Sequence, residues 1–433
     1  MNIGNLIIDT LKEEVVPAMG CTEPVAVALA CAKVKELIDF NTINNIEVLV
    51  GPNIYKNGLA VGIPNTNEVG LYISAALGIT GGKSEKDLRV LEGLTEEDVK
   101  LANDLLDSGK LSLDIKDTKE KIYIEAKIDT DKGSAKVIIQ GRHNKFVFIE
   151  KQGQVLLDSQ EESVQSTNSK NTLYTMKISD IIKEIEKIPH QDISFMLDGL
   201  EMNEKVSQCG LNERKGMGVG YSFKENIEKG ILSSDLANTA MMMTAAASDA
   251  RMSGICLSVM SSNGSGNNGL TAILPIAAYR KKFNVDDERL AKALAISHIM
   301  NSYTKSYIGR LSALCACGVA AGTGAGVAIA WLMGANEKQI DGVIKNMIAN
   351  TSGMICDGAK VGCALKLSTS ASSAVQSALL AMNDCIVPAR NGIVAETAED
   401  TIKNLKTLSV EGMGNADSCI LKIMKQMQAQ AHA

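Results

Sequence analysis

The sequence predicts an α+β protein: a mainly helical domain carrying the active site, with a smaller strand-rich α+β domain inserted into it. Three observations predict this. Aromatic residues make up only 3% of the 433 residues, against 37 glycines and 19 methionines, a composition suited to closely packed helices rather than a β-sandwich. The apolar period changes from helical to alternating near Asn45 and returns to helical from Ile178. The helical stretches on either side of that change make residues 1–44 and 175–433 one catalytic domain, with 45–174 as the insert.

Residues 4–40 read as two helices broken at "PAMGCTEP", with Thr22 as the cap of the second and Pro24 in its first turn. The stretches "NIEVLVGPNIYK", "EKIYIEAKIDT" and "SAKVIIQGRHNKFVFIEKQG" alternate polar with β-branched residues and turn at Gly or Asp-Lys-Gly, as strands and hairpins do. Residues 158–174 are polar and rich in Ser, Thr and Asn, which predicts an exposed loop. Beyond them helices meet at glycine-rich joints at 216–220, 262–269 and 318–326. The run from Leu311 to Asn336 has no charged residue and is long enough for a bilayer. Its glycines, its two cysteines and its scarcity of Leu and Ile mark it instead as a helix buried in protein.

A net charge of −6 gives no electrostatic reason to bind nucleic acid or an anionic membrane, so a small molecule is the expected partner. The Ala- and Gly-rich helices also suggest packing against a second copy as a homodimer. The opening "MNIGNLIIDTLKEEVV" lacks a basic start, an apolar core and a cleavage site, so the expected location is cytoplasmic. There the ten cysteines are expected to be reduced, each either a small buried hydrophobe or a ligand or nucleophile.

Cys21 stands at a predicted helix start, where free backbone N–H groups and the positive dipole end favour thiolate over thiol. Cys315, Cys317, Cys356 and Cys363 sit beside glycine-rich turns on which side chains can converge. No Cys-x-x-Cys pair occurs and the four histidines lie far from cysteine pairs, which argues against a zinc ribbon. Dispersed single cysteines suit an iron–sulfur cluster held by fewer than four thiolates. The loop "SSNGSGNNG" enters a helix, and Ser265, Gly266, Asn267 and Asn268 offer an anion site at its N-terminus. The loop is also similar to the carboxylate loop of PLP-dependent β-eliminating enzymes, but neither a "GGGG" phosphate loop nor an early Schiff-base lysine motif accompanies it.

Four stretches, "MGCTEPVAVALA", "SSNGSGNNGLTAILPI", "YTKSYIGRLSALCACGVAAGTGAG" and "NMIANTSGMICDGAKVGCALKLS", in this order and over almost the whole chain, resemble the L-cysteine desulfidase family. That family is related to the α chain of iron–sulfur L-serine dehydratases. The resemblance implies a PLP-independent lyase that uses a [4Fe-4S] cluster to convert L-cysteine and water to sulfide, ammonia and pyruvate. It places the cluster thiolates on Cys21, Cys315 and Cys356, with Cys363 as the alternative to Cys21. An iron without a fourth protein ligand would act as a Lewis acid on the substrate's sulfur.

Lysines in the matching stretches are candidates for the base that takes the Cα proton: Lys305 first, then Lys360, with Lys366 and His298 also weighed. Arg310 is the expected partner of the substrate carboxylate. Two other readings stand beside the desulfidase: an iron–sulfur L-serine dehydratase, and a non-catalytic cysteine-binding protein.

Overall fold

The computed structural model describes residues 2–64, 66, 68–159, 168–309 and 311–431, with the side chains of 168–171 and 428–431 left aside. The chain opens with α1 (Ile3–Glu14), the short β1 (Pro17–Met19) and α2 (Thr22–Glu36). There follow β2 (Ile43–Val50), α3 (Pro52–Gly58), α4 (Leu71–Thr80), α5 (Glu96–Asp107), β3 (Leu111–Ile115), β4 (Tyr123–Thr130), β5 (Gly133–Gln140), β6 (Phe146–Lys151) and β7 (Gln154–Asp158). The next run is α6 (Asn168–Thr175), α7 (Ile178–Lys187), α8 (His190–Ile193), α9 (Met196–Asn212), α10 (Val219–Glu228) and α11 (Leu236–Met252). After β8 (Ser258–Met260) come α12 (Gly266–Lys282), α13 (Asp287–Ile308), α14 (Thr323–Leu332), α15 (Glu337–Thr351), α16 (Cys363–Met382), α17 (Ala398–Thr407) and α18 (Ala416–Ala431). The predicted α+β class, mainly helical with a smaller strand-rich part, is what the chain forms.

Six strands make one sheet in the order β3-β2-β4-β5-β6-β7, parallel between β2 and β3 and antiparallel elsewhere. Alternation explains the facing: Ile46, Val48 and Val50 of β2 and Ile124, Ala126 and Ile128 of β4 are fully buried. The cover on this face includes α2, whose Val25–Val34 side chains share one core with the sheet. By contrast α1 packs into the helical core through Leu6, Ile7 and Leu11. Residues 1–44 are therefore divided between the two cores.

The helical part is organised around α11, which packs on α9, α10, α12 and α16. Small residues let these helices nearly touch: a Cβ on Gly210 would lie 2.0 Å from the Ala246 carbonyl oxygen, and one on Gly220 would lie 2.3 Å from the Ala246 nitrogen.

Two local expectations change. The predicted loop 158–174 lies partly outside the described residues, but Asn168–Thr175 is helical, with Leu173 buried in the helical core. The uncharged run from Leu311 is not one helix. Leu311–Cys315 is irregular, Ala316 is helical, Cys317–Gly322 is π-helical, and only then does α14 begin. The physical reason is a competing partner: Cys315 N–H donates to Met354 O (2.7 Å) and Cys356 N–H to Ala313 O (2.8 Å), which pulls the first five residues out of helical pairing. No helix among the described residues is long and apolar enough to cross a membrane.

Candidate functional site

Backbone pairing brings distant motifs together. β1 pairs antiparallel with β8, Pro17 opposite Met260, so the chain reaching "GCTEP" lies beside the chain entering "SSNGSGNNG". Ser261 N–H donates to Val16 O (2.9 Å), Asn263 N–H to Glu14 O (2.8 Å) and the Thr22 hydroxyl to Gly264 O (3.1 Å). A parallel bridge between Ala60 and Lys360 adds the third segment. The sequence places Thr22 as the helix cap, but Cys21 occupies that position (φ −87°, ψ 135°) without a side-chain cap bond. Thr22 instead stands inside the first turn, its hydroxyl shared between Gly264 O and Glu23 Oε2.

These segments enclose a cavity of about 100 Å³ between the two cores. Cys21, Cys315, Cys317, Cys356 and Cys363 all line it. The Cys317 thiol donates to Cys315, and this, with the Gly318 N–H and Lys366, lowers Cys315 to about 7 despite burial. Burial pushes Cys356 up, and Cys363 up to about 11; charge on Cys315 is felt by both. Cys21 differs: burial first and then the Glu23 carboxylate push it up, and its thiol donates to Glu23 Oε2 at 3.0 Å. The expected dipole-stabilised thiolate is thus a protonated donor here, because burial, reinforced by the Glu23 carboxylate, outweighs the helix end.

The opposite wall is polar. Glu23 Oε1 accepts from Asn57 Nδ2 (3.1 Å) and faces His143 Nε2 at 3.9 Å. Burial drives the Glu23 carboxyl up, but His143, Cys21, its own backbone N–H and Thr22 together hold it below the ordinary range. Arg251, 3% exposed, donates from Nη1 to Asn267 Oδ1 (2.9 Å) and from Nη2 to Gly20 O (2.7 Å). Its Nε, and Oδ1 of Asn53, Asn57 and Asn268, are buried with no protein partner. Such atoms cost about 1–3 kcal/mol each unless something else binds them.

Below the loop lies a buried network. Ser262 Oγ accepts from Asn301 Nδ2 (2.8 Å) and Asn263 Nδ2 (3.3 Å), so its own hydrogen points at His298 Nδ1 (2.9 Å) and leaves that histidine protonated on Nε2. Burial holds His298 down to about 3, a neutral strut rather than a base. Ser265 caps α12, accepting from Asn268 N–H at 3.4 Å. Gly266 and Gly269 are required by packing: a Cβ would fall 2.4 Å from Arg251 Nε at the first and 1.9 Å from Met260 O at the second.

Of the expected site residues, Cys21, Cys315, Cys356, Cys363, Ser265, Asn267, Asn268 and Lys305 line the cavity. Lys305 is buried and donates to Asn263 O at 3.0 Å. Lys360 is not in the wall; it is ion-paired with Asp357, as is Lys366, which does line the cavity. Arg310 lies outside the described residues. Sequence reasoning missed Glu23, Asn53, Lys56, Asn57, His143 and Arg251, all in the wall. A signal existed for two sets. Asn53, Lys56 and Asn57 recur at helical spacing in "NIYKN", and Arg251 closes "TAAASDAR", where charge is otherwise scarce. A second cavity of about 540 Å³ shares Ile122, Leu311 and Ser312 with the first.

Among the described residues no three His, Cys, Asp or Glu side chains are gathered as ligands of a single metal ion. A cluster asks for something different, since each thiolate binds its own iron and the sulfurs stand further apart. Soft donors from two paired segments, Cys315 and Cys317 buried and Cys356 and Cys363 half-buried, fit that demand.

Fold and cavity together define a helical protein with a thiol-lined pocket of small-molecule size. Residues 85–422 match the family described as serine dehydratase alpha chain, and the chain belongs to that family. The family suggests a lyase or dehydratase and is associated with iron–sulfur clusters. Relatives named only as UPF0597 proteins match end to end. One from Alkaliphilus oremlandii is 65% identical, covering 99% of this chain and 100% of the relative; one from Clostridioides difficile is 55% identical, covering 97% and 99%.

Proposed function

We propose that the protein is an L-cysteine desulfidase, releasing sulfide, ammonia and pyruvate from L-cysteine. The observation that carries this reading is the convergence of five cysteines from three separate stretches on one small cavity that also holds the Asn-rich start of α12. Cys315, Cys356 and Cys363 would hold the [4Fe-4S] cluster: Cys356 and Cys363 both feel charge on Cys315, whereas the Cys317 thiol is engaged with Cys315 and the Cys21 thiol with Glu23. When bound, the cluster supplies a Lewis-acidic iron for the substrate's sulfur.

The protein's own residues do the rest. Lys305, held against Asn263 O, takes the Cα proton. The Cα–H electron pair forms the Cα–Cβ double bond as the Cβ–S bond breaks and the sulfur departs as sulfide. The resulting aminoacrylate tautomerises to an imine, and water hydrolyses it to pyruvate and ammonia. The buried wall keeps bulk water from the proton-transfer step.

The family match favours a second reading, dehydration of L-serine by the same sequence with hydroxide as the leaving group. Anaerobically purified or reconstituted protein should be brown and should release sulfide and pyruvate from L-cysteine faster than it forms pyruvate from L-serine. Faster turnover of serine selects the dehydratase; colourless, iron-free protein that is fully active rejects both. Replacing Cys315, Cys356 or Cys363 by Ser should each lower bound iron and acid-labile sulfide, while Cys21→Ser should retain the cluster.

A further inference from the structure

The most unusual group in the wall is Arg251. It is almost wholly buried, yet no carboxylate pairs with it among the described residues: its two bonds go to a backbone carbonyl and an amide oxygen, and Nε is unpartnered. A guanidinium taken out of water in this way calls for an anion, and its planar donors suit a carboxylate. Gly266 at the start of α12 leaves the space that lets Arg251 lie beside the helix N-terminus, where anions are also favoured.

The complementary pole is in the same wall: the Cys21 thiol feels the Glu23 carboxylate and the Arg251 cation in opposite senses, and donates to Glu23 Oε2 at 3.0 Å. Asn53 and Asn57 are four residues apart on α3 and so share a face. Asn57 Nδ2 is committed to Glu23, which fixes its orientation and leaves Oδ1 buried without a partner, as is Oδ1 of Asn53. Glu23 Oε2 already accepts from Cys21 and Thr22, while Oε1 accepts from Asn57. The wall therefore offers acceptors, two of them unfilled, next to a carboxylate. An ammonium group, with three donors and no acceptor, matches such a set.

We propose that Arg251 anchors the substrate's α-carboxylate and that Asn53, Asn57 and Glu23 receive its α-ammonium, making the cavity a reader of the amino-acid zwitterion whatever the leaving group. This rests on the lyase reading for its substrate class. It also assigns the carboxylate to a residue other than Arg310.

Binding of an unreactive zwitterion tests it apart from turnover. L-alanine, L-alaninamide and propionate are titrated against anaerobic holoprotein by calorimetry, with wild type, Arg251→Gln, Arg251→Lys and Asn57→Leu. Wild type should prefer L-alanine to each analogue by roughly 10- to 100-fold, the scale on which losing a hydrogen bond to a charged group weakens binding. Arg251→Gln should collapse the alanine-to-alaninamide ratio toward one by weakening alanine far more than alaninamide, and Arg251→Lys should retain part of it. Asn57→Leu should instead erode the alanine-to-propionate ratio.

A purely structural arginine would weaken all three probes alike and leave the ratios intact, which overturns the proposal, as does wild type binding alanine and alaninamide equally. Should Arg251→Gln not fold, Arg251→Lys and Asn57→Leu carry the test. Wild type that discriminates as expected but turns over neither cysteine nor serine would sink the lyase reading and leave the zwitterion site standing.

Discussion

A single buried histidine shows how residue-scale chemistry sets the behaviour of this site. His298 is neutral, bonded through Nδ1 to Ser262, and burial holds its pKa at about 3. Above the ordinary value near 6.5 neither state is charged. As pH falls below 6.5 the unfolded chain takes a proton that the native one refuses, so stability is lost across the window from 6.5 to 3, by about 1.4 kcal/mol per unit. His298→Gln should remove that share of the slope, read as the difference between wild-type and variant urea midpoints at pH 6.5 and 4.5. A second residue-scale prediction concerns Gly269, where any Cβ meets Met260 O at 1.9 Å. Gly269→Ala should lower stability by about 1–3 kcal/mol, measured by chemical denaturation, because backbone on backbone cannot give way. Cysteines were legible singly as chemistry-bearing residues in the sequence, but Cys21's role as donor to Glu23 was not. The bond depends on burial, which periodicity does not report.

At the scale of elements, an ion pair ties α18 to the site. Lys56 on α3, 2% exposed, pairs with Asp417 at the start of α18 (2.5 Å) and donates to the carbonyl of Cys356 (3.2 Å). Asp417→Asn leaves a buried ammonium without its counter-charge and should cost about 3 kcal/mol, visible as a lower Tm. Lys56→Met together with Asp417→Leu should recover most of that loss, since the uncompensated charge is gone. The α9, α10 and α11 crossing is equally specific: Gly210→Ala or Gly220→Ala should each destabilise, because Ala246 backbone occupies the space. Glycine-mediated close packing was foreseeable from composition. The break at Leu311–Cys315 was not, since an uncharged run reads as helix until one knows that residues 354–356 compete for its backbone.

For the whole molecule, the cavity lies between the sheet core and the helical core, with walls from both. A ligand bound there should stabilise the two together by mass action. Removing iron from holoprotein with a chelator should therefore lower Tm, and Cys315→Ser should abolish that sensitivity. The α+β class, the helical bulk and the strand-rich stretch followed from periodicity alone, because burial on one face imposes its period on the chain. Motif order likewise put Cys21, Cys315 and Cys356, with Cys363 as the alternative to Cys21, and the "SSNGSGNNG" loop into one expected set. Which core α2 joins, and that Arg251 and Glu23 line one cavity with Cys21, were fixed only by tertiary packing. Pairings such as β1 with β8 join residues more than two hundred positions apart, and local sequence carries no term for the energy of contacts made at that separation.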